Sequence, residues 1–357
     1  MTKINILIEV KQFIPIIILN WNGIDDTIQS VKSVLNQSHQ SFKIFLADNN
    51  SSNNEGEKLK KEFENNKSIE VILFTENHGF TKAHNLIFEK YILNNQEYKY
   101  VALLNNDAFA NEDWLENLFI AAERYQAGMI TSKMINFFHP KQMDNAGHFL
   151  LNTAEVIPIG NFQNIDDFKT PFENYGACAG ATLYSIAMLK DIGIFDDHFD
   201  TGYEDAELGI RATITGYRSI FEPSAIVHHK MSQSIEKIKN VDYLIQIQRN
   251  IFYSYFKLMP LWVLVINVPC IIFKYGLVLI IDVVFRRWAF LEMMWNAIKK
   301  TLTVDWSKIK SARKQFQSNN KTISSIKIMK KMTFFLWFDI KRFYKYVILN
   351  KPSHFEK

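Results

Sequence analysis

The segment FDTGYEDAELGIRA gathers four carboxylates, Asp200, Glu204, Asp205 and Glu207, beside Tyr203. Acids in the first turn of a helix interact favourably with its positive end and unpaired N–H groups, so a helix opening near Asp205 can use them as caps. The alternative is that one of them is a catalytic base, which must stand within about 2.6 to 3.2 Å of the proton it removes. A second carboxylate with chemical potential is Asp107, which follows the apolar run of LLNNDAF directly. A carboxylate at a strand end is well placed to hold a hard divalent cation, and such a cation bridges a diphosphate and neutralises its charge as it leaves.

These groups need a scaffold, and the patterning supplies one. IPIIILN (14 to 20) is a short β-branched apolar run that ends in Asn20, and after Asn22-Gly23 the residues Ile28, Val31, Val34 and Leu35 recur at helical spacing. The unit repeats with FKIFLAD ending in Asp48, IEVILFTEN ending in Asn77 and YKYVALLNND ending in Asp107, each followed by a helical pattern. Strands alternating with helices imply an α/β fold with a mostly parallel, Rossmann-like sheet flanked by helices and right-handed crossovers. Ligands of such sheets bind at the carboxyl ends of the strands, where Asn20, Asp48, Asn77 and Asp107 all fall. Neither GxGxxG after the first strand nor GxxxxGK[ST] nor HExxH occurs, so a dinucleotide fold, a P-loop enzyme and a zincin are poorly supported.

At 357 residues, with 48% hydrophobic and 22% charged residues, the chain is long enough for two domains and too apolar for disorder. Cys178 and Cys270 form neither a CxxC pair nor a disulfide framework, and the opening MTKINILIEVKQF lacks the pattern of a secretory signal. A cytoplasmic protein is expected. The net charge of +4 conceals an asymmetry: residues 286 to 357 hold 17 Lys or Arg against four acids (Glu292, Asp305, Asp339, Glu356), which is +13 and leaves −9 for residues 1 to 285.

The succession IIILNWNG, LADNNS, ENHGFTKAHN, LLNND, GACAGATLYS, GYEDAELGIRA and IVHHKMSQS, in that order over roughly residues 14 to 257, resembles the family 2 glycosyltransferases of the GT-A fold. Within that family it looks most like bacterial transferases that add rhamnose or related sugars during polysaccharide assembly. The resemblance implies an inverting transfer from a dTDP- or UDP-sugar with Mg²⁺ or Mn²⁺. Asn20 and Trp21 would line the base pocket, and Asp48 would accept from N3–H of uracil or thymine. Asn77, Gly79, Asn85 and Asn106 would lie near the donor, with Gly79 permitting close backbone approach. Asp107 and His229 would hold the metal, His229 being preferred over His228 for its spacing to Ser232. Asp205 would be the base, Glu204 an acceptor contact or orienter, and Tyr203 and Gly180 part of the acceptor side. Small residues at Gly176, Ala177 and Gly180 either pack a helix closely or turn backbone N–H groups toward the acceptor or phosphates.

Two departures narrow the expectation. Asn105 and Asn106 stand where the family often has acids, leaving Asp107 as the single motif carboxylate, and Gln246-Ile247-Gln248-Arg249-Asn250 lacks the tryptophan of processive QxxRW enzymes. Addition of one sugar is expected rather than polymerisation. The expected domains are a catalytic region over 1 to 257, with its nucleotide-sugar half over about 1 to 110 and its acceptor half over 111 to 257, and a basic, aromatic-rich helical region over 258 to 357. LWVLVINVPCIIFKYGLVLIIDVVF (261 to 285) is long enough to cross a bilayer but is interrupted by Asn267, Pro269 and Lys274. With the basic tail behind it, association with the inner face of the membrane is favoured over nucleic-acid binding, and a glycan or lipid-linked acceptor follows. Competing functions are a nucleotide-sugar-binding scaffold with idle acids and a nucleotidyltransferase.

Overall fold

In a computed structural model, residues 12–199, 201–230, 241–302, 306–344 and 348 are described. Asp200, Ser232, Asp305, Glu356 and the opening residues 1–11 lie outside the described residues. The chain divides into two compact units, one of Met1–His148 with Pro158–Lys239 and one of Phe149–Ile157 with Asn240–Lys357.

The first unit is built on β1 (Ile14–Asn20), β2 (Phe42–Asp48), β3 (Ile69–Leu73), β4 (Tyr100–Leu104), β5 (Ala108–Ala110), β6 (Met129–Asn136) and β7 (Met143–Asn145). Beyond β8 (His148–Leu150) and β9 (Val156–Pro158), which pair with each other, come β10 (Phe172–Asn174), β11 (Ala181–Ser185) and β12 (Ser219–His229). The main sheet runs β10-β12-β6-β11-β4-β1-β2-β3, with β5 beside β12 and β7 beside β6. The half from β3 to β4 is parallel, as repeated strand–helix units require. Beyond it β11 is antiparallel to both β4 and β6, so that half of the sheet is mixed.

The helices are α1 (Ile24–Leu35), α2 (Glu55–Phe63), α3 (Gly79–Ile87), α4 (Trp114–Tyr125), α5 (Ile186–Ile192) and α6 (Glu204–Thr215). The pleat of β1 sorts its isoleucines: Ile14, Ile16 and Ile18 pack with Val31, Leu59 and Trp114 on the face carrying α1, α2 and α4. Ile17 packs with Ile87, Leu189 and Leu208 on the face of α3, α5 and α6. Both faces being covered, the central strands read as continuous apolar runs.

Register sets the strand ends. Asn20 lies opposite Asp48 where β1 pairs with β2, and His229 lies opposite both Ala108 of β5 and Asn136 of β6. A bulge in β12 between Glu222 and Ile226, around Pro223, shifts the register on the way to His229.

The second unit is helical: α7 (Val241–Leu258), α8 (Leu261–Val284), α9 (Trp288–Leu302), α10 (Trp306–Asn319), α11 (Ser325–Lys331) and α12 (Phe335–Phe343). Residues Phe149–Ile157 are stitched into it, with Asn152 donating its N–H to Thr333 O at 3.0 Å and accepting from Phe335 N at 2.9 Å. In α8 the polar residues point inward. Asn267 Nδ2 donates to Tyr255 Oη at 2.8 Å, and Lys274 Nζ lies 2.5 Å from Glu155 and 3.1 Å from Asp339. Its outward side is apolar: Leu261, Trp262, Val265, Ile266, Ile272, Phe273, Ile280 and Val284 are all exposed, while Val263 and Ile271 pack inward. Only 28% of its most apolar window is buried in the protein, so most of that window faces outward.

Candidate active site

Adjacent parallel strands bring Asn20 and Asp48 together at their carboxyl ends. Asn20 Nδ2 donates to Asp48 Oδ1 at 2.7 Å, to Glu55 Oε2 at 3.0 Å and to Ser51 Oγ at 3.1 Å, while its Oδ1 accepts from Thr27 Oγ1 at 2.7 Å. Thr27 Oγ1 accepts in turn from Asn106 Nδ2 at 3.0 Å. Asp48 Oδ2 accepts from Ser51 N at 3.0 Å, and a Cβ on Gly56 would stand 2.8 Å from the same oxygen. The carboxylate is thus buried and fixed by the loop into α2, with acceptor capacity left over, since an ionised carboxylate offers about four lone-pair sites. Trp21 follows Asn20, half-buried.

The next loop is organised by Asn49, whose Nδ2 donates to Asn77 Oδ1 at 2.9 Å and Gly79 O at 3.1 Å and whose Oδ1 accepts from His78 N at 2.9 Å. Gly79 stands at φ +70, where a side chain would be strained, and begins α3. Asn85, on α3, commits its amide protons to Phe195 O at 2.9 Å and Asp197 Oδ1 at 2.7 Å, tying that helix to the turn that leads toward α6. Its buried Oδ1 has no hydrogen-bond partner.

β5, β7 and β12 converge on a second cluster. His229 Nε2 is 3.0 Å from Asp107 Oδ1, and Nδ1 is 2.7 Å from Asp144 Oδ2, all three residues being buried. Burial alone would lower the imidazole pKa, but the charges of Asp107 and Asp144 outweigh it and hold His229 at about 10. The arrangement fits a divalent cation. A neutral His229 keeps its Nδ1 proton on Asp144 and offers Nε2 beside the Asp107 carboxylate, the carboxylate–histidine–metal order found around bound cations. Among the described residues no group of three His, Cys, Asp or Glu side chains is arranged to hold a metal, so the protein would contribute two ligands.

The acidic segment divides its labour. Glu207 forms a buried ion pair with Arg211 at 2.7 Å, and Arg211 also donates to Ile192 O at 2.6 Å and Ile194 O at 2.7 Å, so this acid belongs to the packing. No side chain caps the helix at Tyr203, which instead sits at φ +83 after Gly202 at φ +88. A non-glycine residue there stores backbone strain of order 1 to 3 kcal/mol, a cost met most often where a turn serves a site. Asp205 is half-buried, with Oδ2 accepting from Ala179 N at 3.1 Å and Oδ1 from Ala206 N at 2.7 Å. Glu204 is buried with Oε2 unpartnered, and burial, followed by the charge of Asp205, raises its carboxyl to about 8. Burial thus favours the protonated, neutral form of Glu204. Around Asp205 the thiol of half-buried Cys178 and the phenol of Tyr184 are pushed up and the imidazole of His148 is pushed down, desolvation being the first cause for each. Asp205 stands among neutral groups.

Gly176 faces α6 at Gly209, and a Cβ there would lie 2.6 Å from the Gly209 Cα. At this position the small residue serves helix packing. At Gly180 the carbonyl accepts from Asn105 N at 2.8 Å, joining that loop to the strand end before Asp107. Sequence reasoning missed Asp144, Asn49, Glu55 and Asp197. Of these, Asn49 and Glu55 adjoin the Asp48 strand end and could have been suspected, whereas nothing in MDNAG marks Asp144. A shallow hollow of ≈ 580 Å³ lined by Glu89, Leu93, Leu189 and Lys190 among others contains none of these site residues.

This combination of strand-end residues and a mixed sheet flanked by helices defines a GT-A fold. The likeness to solved structures bears this out: GalNAc-T7, crystallised with UDP, GalNAc and Mn²⁺, matches with a TM-score of 0.54 at 14% identity over 69% of this chain and 50% of its own. S. aureus TarS 1-349, solved with UDP-GlcNAc, gives 0.49 at 14% identity over 69% of this chain and 67% of that one. The chain thus spans half the length of GalNAc-T7, and it spans 39% of the longer S. aureus TarS structure. No curated protein matches the sequence. Residues 16–193 match the family described as Glycosyl transferase family 2, and the chain belongs to that family.

Proposed function

We propose that the protein is a metal-dependent, inverting glycosyltransferase that moves one sugar, rhamnose or another hexose, from a dTDP- or UDP-sugar to a lipid-linked glycan in cell-surface polysaccharide assembly. The observation that carries this reading is Asp205: a half-exposed carboxylate in the first turn of α6, oriented by Ala179 N–H, in the same unit as the Asp107–His229 pair. Asn20, Trp21 and Asp48 bind the base, with Asp48 accepting from its N3–H. Gly79 lets the backbone approach the donor, and Asn77 and Asn106 order the loops around it. Bound Mg²⁺ or Mn²⁺, held by Asp107 and His229, supplies positive charge to the diphosphate leaving group. Asp205 takes the proton of the acceptor hydroxyl as that oxygen attacks the anomeric carbon, and the protonated Glu204 beside it hydrogen-bonds the acceptor. Tyr203 and Gly180 wall the acceptor side.

An acceptor at the inner face of a membrane is supported by α8, which turns an apolar side outward and is followed by the excess of Lys and Arg over residues 286 to 357. Anionic headgroups attract such a region at on the order of 1 kcal/mol for each basic residue near the surface.

Thermal shift with UDP- and dTDP-sugars tests the donor and metal together. Stabilisation that appears with Mn²⁺ or Mg²⁺ and disappears in Asp107→Ala is expected, because a ligand binding the native state alone raises its stability by mass action. Equal stabilisation in metal and in chelator would remove Asp107 from the role of ligand.

A further inference from the structure

Beside the Asp107–His229 pair stands an aromatic ladder that the proposed reaction does not use. Phe109 lies two residues after Asp107. Its ring meets Phe137 at 5.4 Å and 62°, and Phe137 meets Phe138 at 5.4 Å and 83°. Lys230, the neighbour of His229, places Nζ 5.2 Å from the Phe109 ring centroid and 5.3 Å from that of Phe137 while pairing with Asp26. Phe137 is 40% exposed and Phe138 58%.

The exposure is not the result of a slack loop. Buried Asn136 accepts through Oδ1 from Phe138 N at 2.9 Å and His139 N at 3.1 Å, Phe137 N donates to His229 O at 2.9 Å, and Asn136 N donates to Gln142 O at 3.0 Å. Two large rings are thus held in water by a pinned backbone. Rigid aromatics recognise ligands at small conformational cost, whereas left unused they only expose apolar surface.

We propose that Phe137 and Phe138, backed by Phe109, form a stacking shelf for a sugar ring of the acceptor glycan, an inference that rests on the transferase reading above. The size of the patch selects the occupant. One or two phenyl rings match the C–H face of one pyranose, and the Lys230–Asp26 pair and His139 at the rim supply partners for hydroxyl groups. A lipid surface needs a broader apolar face than two rings among charged and polar neighbours. Continuity with the metal pair, through the Phe137 N–H donated to His229 O, sets the shelf beside the proposed diphosphate site.

The test compares full-length wild type, Phe138→Ala and Phe138→Trp by saturation-transfer NMR. The probes are linear tetrasaccharides of rhamnose, N-acetylglucosamine and galactose, with UDP binding measured in parallel. At least one glycan is expected to bind wild type, to bind Phe138→Ala about tenfold more weakly and to bind Phe138→Trp at least as well, since one aromatic contact is worth roughly that factor. UDP affinity should be unchanged in both variants. The shelf is overturned if none of the glycans binds wild type, if Phe138→Ala binds them equally, or if the variant loses UDP as well. Glycan binding at Phe138 in a protein that binds no UDP would keep the shelf and overturn the transferase reading instead.

Discussion

Asp144 grips His229 from the side away from Asp107, its Oδ2 lying 2.7 Å from Nδ1 while Asp107 Oδ1 lies 3.0 Å from Nε2. The first contact fixes which ring nitrogen carries the proton and which can meet a cation.

Asp144→Asn is therefore expected to weaken Mn²⁺-dependent donor binding by 10- to 100-fold, the usual cost of losing such an outer partner, without touching the donor itself. Calorimetric titration of UDP at several Mn²⁺ concentrations reads this. An unchanged metal dependence would mean that His229 serves packing.

Asp205→Asn keeps the shape of the side chain and removes its basicity. Transfer should fall by about 10² to 10⁴ while donor affinity stays within a few-fold. Near-normal turnover would return the acidic segment to the role of favouring the helix end.

Glu204 links pH to stability. Its folded carboxyl is raised from 4.5 to about 8, so the native state holds the proton more tightly than the unfolded chain does. The stabilisation from that proton is complete below about pH 4.5 and is lost as pH rises through about 8. Between pH 5 and 8 the urea midpoint of wild type should decline, and Glu204→Gln, uncharged throughout, should flatten the decline. Parallel curves for the two proteins would show that Glu204 ionises normally.

Ile272→Glu combined with Ile280→Glu charges the outward side of α8 without entering its inward polar contacts. Flotation with liposomes containing anionic lipid should show wild type bound and the double variant released, with helical content unchanged by circular dichroism. High salt should loosen the electrostatic share of wild-type binding only. Equal flotation of both proteins would remove α8 from the membrane contact.

Much of the parallel half of the sheet was legible because strands there are short apolar runs closed by a polar residue, as in IPIIILN and FKIFLAD, and neighbouring parallel strands align those closing residues. The mixed half was less so. β7 is three residues long and carries no periodicity, so Asp144 was invisible until β6 and β12 brought it to His229. The protonation of Glu204 depends on burial created by residues distant in sequence. Asn267 and Lys274 read as interruptions of an apolar run, yet they are the inward contacts of α8 and leave its outer side apolar. Charge counting alone could not separate Glu207, spent on Arg211, from Asp205, which remains open.

The contact of Gly176 with Gly209 also constrains how this chain can change over time. Each glycine's missing side chain is replaced by the other's backbone: a Cβ on Gly176 would lie 2.6 Å from Cα of Gly209, and one on Gly209 would lie 2.7 Å from Cα of Gly176. An enlarged core residue can often be rescued by trimming its neighbour, but here neither partner has anything left to trim. The two positions therefore form an evolutionary lock with no second-site key, and drift at either one must move the helix that carries Asp205.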